Sequence, residues 1–217
     1  MDHRICLTIL SALVMLRADD LIVPGVGVGP VTRTSTESSL RQALGRLAVK
    51  EDVDVGEGEL EPGLVIYKND PTRQLAVVWN DDKPAHPSAV FICYGSESST
   101  CRWHTAGGIG FGTTLKELER RNGGPFEMTG WGFDNGGNIT SYKNGSLEKE
   151  LRGSGILWLT LYPQTDKQGQ FVPKVTEEEY NAVQGDKFLQ SSHPVFQKLN
   201  PRVAAMRLDF PRQINKR

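Results

Sequence analysis

The chain holds few side chains able to do covalent chemistry, and they are scattered. Beyond the amino-terminal segment the histidines are His86, His104 and His193, none at helical spacing to another ligand, and the remaining cysteines, Cys93 and Cys101, form no Cys-x-x-Cys. No serine lies in a Gly-x-Ser-x-Gly turn. Gly25-Val-Gly-Val-Gly29 has the look of a nucleotide loop, but no Lys-Ser/Thr follows it and Pro30 interrupts any helix there. The sequence nominates no catalytic residue, no metal ligands and no cofactor site.

Two loops carry residues suited to binding. In Gly130-Trp-Gly-Phe-Asp-Asn-Gly-Gly137 glycines alternate with rings, so Trp131 and Phe133, with Asp134 beside them, are candidates to stack on a sugar or a partner. The competing expectation is that the rings fold back over a sheet edge as core. The second loop is acidic, with Glu57, Glu59 and Glu61 separated by single residues. It reads as a solvated loop, or, with the aromatic loop, as a carboxylate-plus-aromatic patch for a basic or sugar partner. Glycoside hydrolysis would need two carboxylates across a cleft, and nothing sets Asp134 opposite a glutamate.

The elements that must position these loops follow from capping and periodicity. Thr114 caps a helix with Glu117 as capping-box partner, Leu115 and Leu118 form its apolar stripe, and Asn122-Gly123 with Pro125 ends it. A strand follows from Phe126 and another from Asn138. An earlier helix over residues 36–44 stops at Gly45. Residues 64–67 and 75–79 read as a hairpin, 89–94 and 101–105 as further strands, and 49–63 as an acidic, Gly-rich connection. Residues 156–162 alternate leucines with Trp158, Thr160 and Tyr162; a short helix opens at Thr176, 186–200 is irregular, and 203–210 closes the sheet beside 156–162.

The two halves share an ordered series of signals. Thr36, Leu40, Gly45, Gly56-Glu-Gly58 and Tyr67-Lys-Asn69 align with Thr114, Leu118, Gly123, Gly130-Trp-Gly132 and Tyr142-Lys-Asn144. The expected fold is α+β, with two related units over residues 19–105 and 106–217, each a helix packed on an antiparallel sheet.

Composition bounds the setting. The chain has 217 residues, and a net charge of −1 provides no field for nucleic acid or an anionic membrane. Residues 1–18 read as a signal peptide: one basic residue, Arg4, ahead of an apolar run too short to span a bilayer, and Ala18 before Asp19-Asp20. Export would favour a disulfide between Cys93 and Cys101 closing a hairpin; without export, two free thiols are the expectation. The basic residues after Lys187 suit a solvated edge strand.

The stretch Thr114-Leu-Lys-Glu-Leu-Glu-Arg-Arg-Asn-Gly-Gly-Pro-Phe126 with Gly130-Trp-Gly-Phe-Asp-Asn-Gly-Gly137 resembles a family of exported bacterial proteins of unknown function. Each half is also distantly similar to the helix-and-sheet repeat of SmpA-like lipoproteins and beta-lactamase inhibitor proteins, through Gly112-Thr113 and Gly123-Gly-Pro125. The resemblance implies export and an interaction role, and it supplies no catalytic residue. The expectation is a periplasmic or secreted, non-catalytic binding protein of the bacterial envelope with a protein or glycan partner and no membrane span. The alternatives are a hydrolase of envelope polymers and an inhibitor of a secreted enzyme.

Overall fold

The computed structural model describes residues 20–94, 100–134, 136–153 and 155–210; the expected signal peptide lies outside the described residues. The chain starts with three short strands, β1 (Leu21–Val23), β2 (Gly27–Val28) and β3 (Val31–Thr32), followed by helix α1 (Glu37–Leu44). Thr36 caps α1, and its box partner is Ser39; Gly45, at φ 55°, ends the helix where a side chain would be strained.

Four antiparallel strands follow as a meander: β4 (Ala48–Gly56), β5 (Glu59–Ile66), β6 (Leu75–Trp79) and β7 (Pro87–Ile92). The acidic stretch expected to be a connection is therefore the β4–β5 hairpin. Its charges suit an edge strand, where they keep the unpaired backbone in water. Beyond β7, β8 (His104–Thr105) runs parallel to β1.

The second half continues with α2 (Leu115–Asn122), β9 (Glu127–Thr129), β10 (Ile139–Ser141), α3 (Ser146–Leu151) and β11 (Ile156–Tyr162). Thr114 Oγ1 accepts from Glu117 N at 3.2 Å, but the Glu117 carboxylate turns to Arg121 in the next turn and does not complete the expected box. Then come α4 (Glu177–Val183), β12 (Phe188–Gln190), α5 (Pro194–Leu199) and β13 (Arg202–Asp209). Residues 186–200 are thus ordered: Pro194 starts α5 and His193 caps it.

β13 inserts between β11 and β7, completing a six-stranded sheet in the order β11-β13-β7-β6-β5-β4. A single bridge, Asn138 to Thr160, leads from the β9–β10–β12 sheet to the edge of β11. The fold is α+β. Strands of both halves share the large sheet, and side chains of both share one core.

The sheet has two unlike faces. Leu157, Leu159 and Leu161 on β11, Leu64 and Ile66 on β5 and Met206 and Leu208 on β13 enter the main core, joined by Leu40, Leu115, Leu118, Leu147, Leu151, Val183 and Phe196 from all five helices. Each such leucine contributes roughly 1.5–3 kcal/mol by burial. The opposite face carries a small cluster, Val53, Val65, Ala76 and Val78, that contains no helical residue.

The Cys93–Cys101 bond is present, with the Cα atoms 5.9 Å apart. It does not close a hairpin. β7 is paired with β6 and β13, β8 with β1, and the bonded segment is instead tied to the preceding turn by Cys93 N to Gln74 O and Arg102 N to Thr72 O. Asp20 anchors the same region through Arg73 and Arg102, each at 2.7 Å.

Candidate functional site

The Trp131 ring is not on the surface. Its exposure is 0%, its Nε1–H donates to Leu161 O at 2.9 Å, and Phe196, Phe171 and Tyr162 surround it at centroid distances of 4.9, 5.8 and 6.3 Å. Alternating glycines serve close packing here. A Cβ on Gly137 would collide with Leu161 O and press on the indole nitrogen, and Gly137 has φ 80°. This replaces the expectation of an exposed stacking ring with a core pillar. Phe133 is half-buried and Asp134 is exposed at the turn.

Glu57 and Glu59 are exposed at the tip of the β4–β5 hairpin. The Trp131 loop is bonded to β11, five strand steps away across the sheet. At about 4.8 Å per step that is roughly 24 Å. The two loops form no common patch.

Among the described residues, three hollows bear on binding. One of about 840 Å³ lies beside α1, walled by Glu37, Arg41, Trp79 and Pro84. Its carboxylate is already engaged: Lys50 at 2.8 Å and Arg41 at 3.4 Å hold Glu37 below the usual carboxylate range, the Lys50 hydrogen bond foremost. A second, of about 480 Å³, covers the outside of the Trp131 cluster, between Tyr162, Phe171, Lys174 and Tyr180. Its rings meet edge-on or tilted, not as a flat platform.

The third lies on the helix-free face. A groove of about 410 Å³ crosses the strands, with Val55, Val78, Phe91, Ile156 and Phe210 as apolar walls and Glu61, Arg207 and Asp209 as charged groups. The β4–β5 hairpin folds toward this face: Val53 packs over Gly63, which has no Cβ to obstruct it, and Asp54 N donates to Tyr94 Oη at 2.8 Å.

An arginine–aromatic ladder floors the groove and continues beyond it. Register puts Phe91 opposite Arg207 and Arg207 opposite Trp158, so the guanidinium lies 5.8 Å from each ring. Arg152, at the end of α3, lies 4.9 Å from the Trp158 ring and 5.4 Å from Tyr142, while its guanidinium donates to Thr140 O and Ile139 O. Asp209 fixes the centre: it accepts from Arg207 Nε at 2.9 Å and from Trp158 Nε1 at 2.7 Å. Partly desolvated cation–π contacts of this kind contribute roughly 0.5–2 kcal/mol each.

The alternation of residues 156–162 and 203–210 put Trp158, Arg207 and Asp209 on their strands' non-leucine faces. The missing information was register, which depends on a partner strand more than a hundred residues away. Among the described residues no three His, Cys, Asp or Glu gather to hold a metal ion, and no helix is long and apolar enough to cross a membrane. Compared with known proteins, the chain matches no family model, no curated protein and no solved structure.

Proposed function

We propose that this protein is an exported, non-catalytic binding module of the bacterial envelope, built from two related helix-and-strand units, which docks its partner on the helix-free face of the large sheet. The observation that carries this reading is the asymmetry of the sheet: the core on one face takes side chains from all five helices, while the cluster on the other contains none and adjoins a groove over an arginine–aromatic ladder. Arginine and aromatic side chains are enriched at protein interfaces: the rings offer large contact area with few rotating bonds, and the guanidinium offers a planar fork of donors that stacks on them. The disulfide supports an oxidising compartment. The shared order of helix followed by antiparallel strands supports the two-unit reading.

The test is a photo-crosslinking amino acid placed at Ser88, which lines the groove, and separately at Lys116, exposed on α2. In bacterial envelopes the Ser88 position forms a discrete adduct and the Lys116 position does not. Equal adducts at both positions, or none at Ser88, overturn the reading.

A further inference from the structure

The groove has an unbalanced charge. Arg207 is neutralised by Asp209, with Nε and Nη2 on the two carboxylate oxygens at 2.9 and 3.1 Å. Glu61 is half-buried on the opposite wall and has no ion pair among the described residues. It faces the groove because it lies opposite Val53 in the β4–β5 register and two residues before Gly63 on the same side of β5. Beyond it the hairpin tip adds Glu57 and Glu59, and no lysine or arginine occurs anywhere in residues 51–67.

The apolar lining decides what kind of cation fits. A small hydrated ion would gain nothing from Val55, Val78, Phe91 and Phe210. A lysine or arginine side chain matches both parts, with its methylene stem against the apolar walls and its charged head at Glu61 and over the Phe91 ring. The acidic tip would speed encounter with such a segment, since complementary charge raises association rates at low salt.

We infer that the groove receives a lysine- or arginine-bearing segment of a partner protein, with Glu61 as its counter-ion and the Glu57–Glu59 tip as the steering element. This rests on the docking-face reading and specifies its partner. Residues 211–217 hold Arg212, Lys216 and Arg217 in the same sequence, so a basic segment of this chain is the competing occupant that the test must separate.

The experiment uses the oxidised full chain, isotope-labelled for NMR, titrated with a decalysine peptide and with decaglutamate. Decalysine is expected to shift the amides of Val55, Phe91 and Phe210, and decaglutamate to leave them unmoved. Glu61→Gln weakens decalysine binding by about tenfold, as does Ala89→Gln, which fills the groove without changing charge. Shifts confined to the hairpin tip and insensitive to Ala89→Gln, or no binding at all, overturn the inference. If only a chain cut after Phe210 binds, the basic segment 211–217 is the groove's ligand and the partner proposal falls. A Ser88 adduct that survives Glu61→Gln keeps the docking face and removes the basic occupant. Decalysine in the groove without any Ser88 adduct keeps basic-segment recognition and removes the envelope module.

Discussion

Replacing Trp131 separates a binding ring from a core pillar. A stacking ring on the surface could be cut to alanine with little loss of stability. In the structure the indole is fully buried among three rings and bonded to the Leu161 carbonyl. Trp131→Ala then costs about 3–5 kcal/mol for the lost ring and the cavity, a large part of the roughly 5–15 kcal/mol typical of a whole domain. Trp131→Phe keeps much of the ring packing but removes the donor to Leu161 O, costing about 1–3 kcal/mol. Urea unfolding of the oxidised protein by far-ultraviolet circular dichroism measures both. The expected order of midpoints is wild type, then Trp131→Phe, then Trp131→Ala. An alanine variant with an unchanged midpoint would refute the burial argument and return the ring to the surface.

Removing the disulfide tests a different mechanism. With a sequence separation of 8, loop entropy predicts a loss of about 2.5 kcal/mol for the Cys93→Ser/Cys101→Ser double variant, read by calorimetry as a Tm about 5–10 °C lower; an unchanged Tm refutes it. Tyr142 gives the chain an alkaline limit. Burial, partly opposed by Arg152, raises its hydroxyl pKa well above the ordinary value, and its Oη has no hydrogen-bond partner among the described residues. The neutral phenol is favoured in the fold, so this contribution is complete below about pH 10 and is lost as pH rises beyond the unfolded pKa. Tyr142→Phe should be neutral or stabilising at pH 7 and should flatten the decline between pH 9 and 11.5 in urea titrations. An equal decline in both proteins refutes the assignment.

Local signals were legible and long-range ones were not. Thr36, Thr114 and Thr176 cap their helices as read, because a cap depends only on atoms three residues away. Strands β5, β6, β11 and β13 were visible through alternation and apolar density. The β4 strand was hidden because its charges resemble a loop, although they belong to an edge. Trp131 stays between display and core in the sequence for a related reason. Glycines flanking a ring mark either a mobile display loop or a backbone held tight against its neighbours, and only Leu161, thirty residues on, distinguishes the two. The Phe91–Arg207–Trp158 ladder depends on register between three strands drawn from both halves.

The insertion of β13 has a consequence for the order of assembly. The last strand described in the chain occupies an interior position, hydrogen-bonded to β7 on one side and β11 on the other. A nascent chain emerging from its amino end therefore presents β7 and β11 as two open edges until residue 209 is available. Pairing over such sequence distances is slow, and unpaired edges invite association with other chains. The large sheet is consequently held open until residues 202–209 have emerged, then joined between its two halves by that one strand.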